Sequence, residues 1–139
     1  MKIFLYFFGK PRDAHSNAIA EEYLRRVSRY AKAEMSELRG SRADPFAKHP
    51  SAYTVCLDPT GKRMDSPAFI ALVKQAEFEA RDLVFVVGGA DGLPAGWSAR
   101  ADQLLSLSPM TFPHELARAM LAEQIYRAFT TLRGHPYPR

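Results

Sequence analysis

Leu83-Val84-Phe85-Val86-Val87 is an unbroken apolar run that opens directly onto Gly88-Gly89-Ala90-Asp91-Gly92. A strand with one wet face alternates polar and apolar residues, whereas a continuous apolar strand needs cover on both faces. That calls for helices above and below a parallel sheet, and the rest of the chain supplies the parts. Lys2–Phe8, Glu34–Leu38, Ala52–Leu57 and Leu104–Leu107 read as further strands. Between them, Ala14–Ala31 carries Ile19, Tyr23, Val27 and Tyr30 at helical intervals. Asp65 or Ser66 caps a helix with Pro67 in its first turn, running to about Ala80. Trp97–Gln103 reads as a short helix and His114–Leu132 as a long one. Strands and helices alternate throughout, so the fold class is α/β with a mostly parallel sheet, in one domain spanning residues 1–139.

The joints are equally legible. Asp58-Pro59-Thr60-Gly61-Lys62 is a turn signal closing the third strand. Arg39–Ser51 has two prolines and no period, and is expected to be an exposed loop without a helix. The apolar run after Lys2 stops at Gly9-Lys10-Pro11-Arg12 with no small-residue cleavage site, so it reads as a strand rather than a signal peptide. No apolar stretch is long enough to cross a bilayer, and a cytoplasmic protein is expected. The single cysteine, Cys56, excludes an internal disulfide and lies in an apolar run, as a small buried hydrophobe would. No pair of histidines has metal-ligand spacing, so no metal is expected.

The formal net charge is +4, and residues 1–50 hold ten Lys/Arg against six Asp/Glu. Arg25, Arg26, Arg29, Lys32, Arg39, Arg42 and Lys48 make up most of this excess. A basic region suits a polyanionic partner such as RNA, because neutralising phosphates releases counterions.

Ligands of parallel sheets collect at the carboxyl ends of the strands. Three such ends carry unusual residues here: Leu57-Asp58, Gly88–Gly92 and Leu107–Phe112. Three glycines in five residues let a backbone approach a ligand closely, or simply make a tight strand-to-helix turn. The spacing matches neither GxGxxG nor a P-loop. In Leu107-Ser108-Pro109-Met110-Thr111-Phe112, free main-chain groups beside Leu107, Met110 and Phe112 could wall a slot for an adenine ring, or form an edge strand and loop. Glu123 and Arg127 stand at i and i+4 in the orientation that favours a helical ion pair. Ala117, Ala119 and Ala122 permit close helix packing, within the core or across a dimer interface. The proline-restricted tail His135-Pro136-Tyr137-Pro138-Arg139 offers an imidazole, a stacking ring and a phosphate clamp, or else frays.

Taken in order, Val55-Cys56-Leu57-Asp58 with Gly61-Lys62, the glycine run 88–92, Leu105-Ser106-Leu107-Ser108, Glu123-Gln124-Ile125-Tyr126-Arg127-Ala128 and the terminal His135-Pro136-Tyr137 resemble the RlmH family. These are ribosomal large-subunit pseudouridine N3-methyltransferases of the SPOUT (α/β-knot) superfamily. The resemblance implies a C-terminal trefoil knot, a feature that periodicity arguments would never produce. It implies a homodimer that binds S-adenosyl-L-methionine at Leu57, Gly88, Leu107, Ser108, Pro109, Met110, Thr111 and Phe112. It further implies large-subunit ribosomal RNA, in the assembled ribosome, as substrate. His135, Tyr137 and Arg139 are the implied catalytic residues: a proton acceptor, a group that stacks on or hydrogen-bonds the base, and a phosphate or anion clamp.

Three departures stand out. Gly-Gly-Ala-Asp-Gly replaces the usual Gly-Gly-Pro-Glu-Gly, Pro138 replaces a second tail histidine, and the 39–51 segment is short. Two other readings remain at this level. One is a related enzyme acting on transfer RNA; the other is a non-catalytic ribosome-binding relative, which would not bind the cofactor.

Overall fold

The computed structural model describes residues 1–40 and 43–138. Among these, five strands form one parallel sheet in the order β2-β1-β4-β3-β5, with β1 at Lys2–Phe8, β2 at Lys32–Leu38, β3 at Tyr53–Arg63, β4 at Leu83–Val87 and β5 at Gln103–Ser106. The helices are α1 (Ala14–Val27), α2 (Pro45–Lys48), α3 (Ser66–Phe78), α4 (Trp97–Arg100) and α5 (His114–Leu132). β4 lies at the centre, between β1 and β3. Its five residues are all buried, as an apolar run covered on both faces must be.

The alternation of side chains along the strands divides the interior in two. Ile3, Leu5, Val55, Leu83, Phe85, Val87 and Leu105 face α1, α3 and α5 and form the larger core. Leu121, Ala122, Ile125, Ala128 and Phe129 of α5 are fully inaccessible there, so this helix is the axis of that layer. On the other face Tyr6, Cys56, Val84 and Val86 pack with Trp97 of α4 and Phe46 of α2. β5 lies at the sheet edge beside β3, yet α5 returns to the middle and packs on α1 and α3. The Leu107–Pro113 segment makes that passage and runs alongside the ends of β3 and β4.

Three sequence expectations need correction. β3 does not finish at Leu57: its pairing with β5 breaks between Leu57 and Lys62, then resumes with Lys62 opposite Leu105 and Arg63 opposite Ser106. The Asp58 carboxylate accepts from the Thr60 amide at 2.8 Å, so the turn chemistry is real but acts as an interruption within a longer strand. The 39–51 segment does contain a helix. Asp44 caps the amides of Phe46 and Ala47 at 3.0 and 3.2 Å, and Pro45 opens the first turn. Four residues are too few to show a period, so only its cap and proline could have announced it. α1 stops at Val27 rather than Ala31: the Arg29 and Tyr30 amides turn to carbonyls three residues back, of Arg26 at 3.3 Å and Val27 at 2.8 Å, which tightens the chain out of the α-helix.

Candidate functional site

The carboxyl ends of β3 and β4 and the loop after β5 meet around a cavity of about 230 Å³. Leu57, Asp58 and Pro59 form one wall, Val87 through Ala90 with Gly92 a second, and Leu107 with Met110, Thr111 and Phe112 a third. The start of α5 closes the base with His114 and Ala117. Six of the eight residues implied as cofactor contacts thus share one cavity: Leu57, Gly88, Leu107, Met110, Thr111 and Phe112. Ser108 and Pro109 do not line it. Ser108 shapes the loop instead: its carbonyl accepts from the Ser106 hydroxyl at 2.9 Å, and its own hydroxyl accepts from the Met110 amide at 3.0 Å. Met110, placed by the sequence as a wall, is 72% exposed and forms the rim.

Two details bear on what this cavity can hold. Gly92 donates its amide to the Gly89 carbonyl at 3.0 Å, which folds the glycine run into a tight loop whose corner residues Ala90 and Asp91 face solvent. Among the described residues, no hydrogen bond takes the main-chain N–H of Thr111 or Phe112. Free amides beside apolar walls suit a flat heteroaromatic ring, which needs dispersion on its faces and a few hydrogen bonds at its edge. The donor set therefore fits a purine-bearing cofactor. Asp58, part of the β3 end singled out from sequence, lines the cavity too, as do Pro59, His114 and Ala117, which sequence did not place there; Ala117 read only as a packing residue, because a small side chain on a helix looks the same in both roles.

Cys56 sits one residue before this cavity, fully buried. Burial, with a smaller contribution from the Asp58 charge, pushes its thiol up to about 12. It stays protonated at neutral pH and has no nucleophilic part to play.

The tail is placed elsewhere. Tyr137 packs its ring on Tyr126, with centroids 4.7 Å apart, and donates its hydroxyl to Glu123 Oε2 at 2.7 Å. The Tyr23 hydroxyl is 3.2 Å away, and the Arg127 guanidinium lies 5.5 Å above the ring. Arg127 in turn pairs with Glu123 at 2.7 Å, the predicted i, i+4 contact. Burial, and then the hydrogen bond to Glu123, raise the Tyr137 hydroxyl well above its ordinary value. The tail is thus docked on α1 and α5 rather than frayed as far as Tyr137, and none of these partners lines the cavity. His135 is exposed, tied only by its amide to the Thr130 carbonyl at 2.9 Å. Arg139 lies outside the described residues.

A second and larger cavity, about 460 Å³, runs between α1, the start of α3 and α5. Ile19, Met64, Phe69, Leu116 and Met120 line it, and it shares Leu105 and Leu107 with the first. Ile19 and Leu116 are 46% and 39% exposed, unusual for large aliphatic side chains. Tyr23 and Glu123, which hold the tail, stand on its margin.

Among the described residues, the cations that make up the N-terminal excess are in part paired and in part remote from the cavity. Arg25 and Arg26 both pair with Glu22, and Arg39 pairs with Glu37. Lys32 begins β2, opposite Lys2 in register, so it and Arg29 sit at the far end of the sheet from the cavity. Arg42 lies outside the described residues.

A family model described as "Predicted SPOUT methyltransferase" matches residues 1–138. The chain is 64% identical over 139 residues to the ribosomal RNA large subunit methyltransferase H of Solibacter usitatus, covering all of both chains. It is 40% identical over 143 residues to the protein of the same name from Sorangium cellulosum, covering 99% of each. Among solved structures, a putative methylase family protein from Neisseria gonorrhoeae superposes with a TM-score of 0.60 at 12% identity, covering 91% of this chain and 81% of that one. A probable methylase family protein from Haemophilus influenzae gives 0.57 at 9% identity, covering 97% and 67%. These two likenesses speak for the fold alone. With a full-length family match and close relatives of the same length, the chain belongs to the SPOUT methyltransferase family, within its ribosomal RNA large subunit methyltransferase H group.

Proposed function

We propose that this protein transfers the methyl group of S-adenosyl-L-methionine to N3 of a pseudouridine in 23S ribosomal RNA, acting as a cytoplasmic homodimer on the assembled ribosome. The observation that carries the reading is the convergence of three strand-end segments, residues 57–59, 88–92 and 107–112, on one cavity. Leu57, Leu107 and Phe112 would hold the cofactor's purine between apolar walls, and the free amides of Thr111 and Phe112 would bind its edge. When bound, the cofactor supplies an electrophilic sulfonium methyl. The protein's task is then alignment, and fixing the two reactants can contribute ~7–11 kcal/mol toward such a barrier.

N3 of pseudouridine carries a proton at neutral pH, so its loss must be assisted. It lies on the Watson–Crick edge, so the target base must be unpaired or flipped out. In this reading His135 accepts the proton and Arg139 steadies the developing anion or a phosphate. Tyr137, whose hydroxyl is bound to Glu123 and raised in pKa, is not a base; it stacks on or hydrogen-bonds the target ring.

The tail and the cavity would meet across a two-fold axis. The larger groove is continuous with the cofactor cavity through Leu105 and Leu107, and with the tail through Tyr23 and Glu123. A second copy seated on that groove would cover Ile19 and Leu116, and the self-complementary packing of such an interface would bring each tail beside the partner's cavity. The run of Leu107–Pro113 past two strand-end loops is also what a trefoil-knotted C-terminus requires. The test is to incubate the protein with labelled cofactor and ribosomes that lack the methylation, then map the product by mass spectrometry. A single N3-methylated pseudouridine in 23S RNA is expected; label in transfer RNA alone, or no transfer, contradicts the proposal.

A further inference from the structure

The turn that joins β1 to α1, Gly9-Lys10-Pro11-Arg12, is exposed, yet it is anchored at both ends, by half-buried Phe8 at its entry and by buried groups at its exit. At its entry, Phe8 packs so closely on the glycine loop that a Cβ at Gly89 would lie 3.2 Å from the Phe8 Cβ. At its exit, the buried carboxylate of Glu115 accepts the main-chain N–H groups of Arg12, at 2.9 Å, and of Asp13. Asn17 donates to the same carboxylate at 3.0 Å and to the Asp13 carbonyl at 2.8 Å. Behind it stands Arg118, 1% exposed, donating to Asn17 Oδ1 at 2.8 Å with its guanidinium 3.9 Å from the Phe7 ring centroid. Among the described residues, Arg118 Nε and Nη1 have no hydrogen-bond partner.

A buried guanidinium with two unmet donors is costly, and native proteins carry such groups where something other than packing is at stake. Here the whole network fixes four exposed residues. The anchors also fix where that turn stands: Gly89 lines the cofactor cavity, and Glu115 lies between His114 and Ala117, which line it too. Lys10 and Arg12 make no ion pair among the described residues, whereas Arg25, Arg26, Arg39, Arg100, Arg127 and Arg133 all do. Among the described residues Lys2, Arg29, Lys32, Lys48, Lys62, Arg63 and Lys74 are also free of ion pairs, but Lys2, Arg29 and Lys32 stand at the opposite end of the sheet, and none of the seven sits on the turn that the Glu115 network holds.

We propose that Lys10 and Arg12 form a rigidly mounted phosphate-contacting element that docks the RNA backbone at the rim of the cofactor cavity, held in place by the Glu115–Asn17–Arg118 network. This rests on the reading of the protein as a ribosomal RNA methyltransferase. The contacts are to sugar-phosphate backbone, so they position the substrate without reading its sequence.

The test compares the wild-type homodimer with the Lys10→Gln/Arg12→Gln double variant, using unmethylated ribosomes as probe and equilibrium binding across a salt series. The double variant is expected to bind more weakly, with a log affinity against log salt slope shallower by about one per lost cation. Its cofactor affinity by calorimetry should match wild type, and in turnover KM should rise while kcat holds. Lys10→Arg/Arg12→Lys should restore binding, and Arg29→Gln/Lys32→Gln should leave the slope unchanged. An unaltered slope in the first variant overturns the proposal; so does a variant that loses dimerisation or cofactor binding instead, since the turn would then be structural. Binding is read without turnover, so a wild-type protein that binds ribosomes through this turn but methylates nothing would sink the proposed activity and leave this inference standing.

Discussion

Gly88 sits at the mouth of β4, and a Cβ added there would come within 2.7 Å of the Gly92 carbonyl carbon. From sequence, a side chain at this position is expected to collide with the cofactor or with its neighbouring loop; the structure shows the collision with the loop, at Gly92. Backbone must therefore move, at a cost of about 1–3 kcal/mol for an overpacked site. Gly88→Val should lower both the unfolding midpoint and the affinity for S-adenosyl-L-methionine. Unchanged values for both, by denaturant melts and calorimetry, would show that the loop is not part of the site. The importance of this residue was legible, because three glycines after a buried strand demand an explanation; the loop was one of the two neighbours expected, but not which of its residues closes on Gly88, since that contact comes from four residues further on. Arg118 shows the opposite case. In the sequence it is one more cation on an amphipathic helix, and only the fold reveals it as a buried group leaning on Phe7.

At the scale of elements, strands were the easiest to read and short helices the hardest. β1 and β4 are where their apolar runs place them; burial on both faces leaves β4 no polar residue to blur its ends, and β1 has only the exposed Lys2 at its start. β3 was cut short at its turn signal, since a strand that pauses at Asp58–Thr60 and resumes pairing at Lys62 has no local signature of resumption. From sequence the tail either joins a site or frays. In the structure Tyr137 packs against the larger core cluster and holds Glu123 and Tyr126, partners 14 and 11 residues back in sequence that no local pattern announces. A chain ending at Gly134 should therefore lose turnover and also some stability, of order 0.5–1.5 kcal/mol for the lost aromatic contact. Tyr137→Phe should keep most of that stability while losing the tether to Glu123. Full-rate ribosome methylation by the truncated chain would refute any role of the tail in the active site.

For the whole molecule, the acidic groups set how stability follows pH. Hydrogen bonds from Ser16, Arg25, Arg100 and Arg133 respectively hold Asp13, Glu22, Asp44 and Glu77 below their ordinary values. For Glu115, burial opposes ionisation, but the amides of Asp13 and Arg12, with Arg118 and Asn17, outweigh it and leave it lowered too. The unfolded chain then binds more protons than the native one in the acid range. Their contribution is complete above the unfolded values near 3.8 and 4.5 and drains away as pH falls through the lower native ones. Burial, and then the Lys48 charge, hold His49 below its ordinary 6.5, so it too takes up its proton more readily in the unfolded chain. Melting temperature should fall slightly as pH drops through 6.5 and steeply between pH 4.5 and 2.5; a midpoint that rises on acidification would contradict these assignments.

Whether three strand-end segments together make the cofactor's site can be read by hydrogen exchange with and without saturating S-adenosyl-L-methionine. Amides in residues 57–59, 88–92 and 107–112, those of Thr111 and Phe112 foremost, should gain protection together, while α2 and the amino-terminal end of β2 stay unchanged. Protection confined to the groove between α1 and α5, or absent from all three segments despite binding, would contradict a shared site.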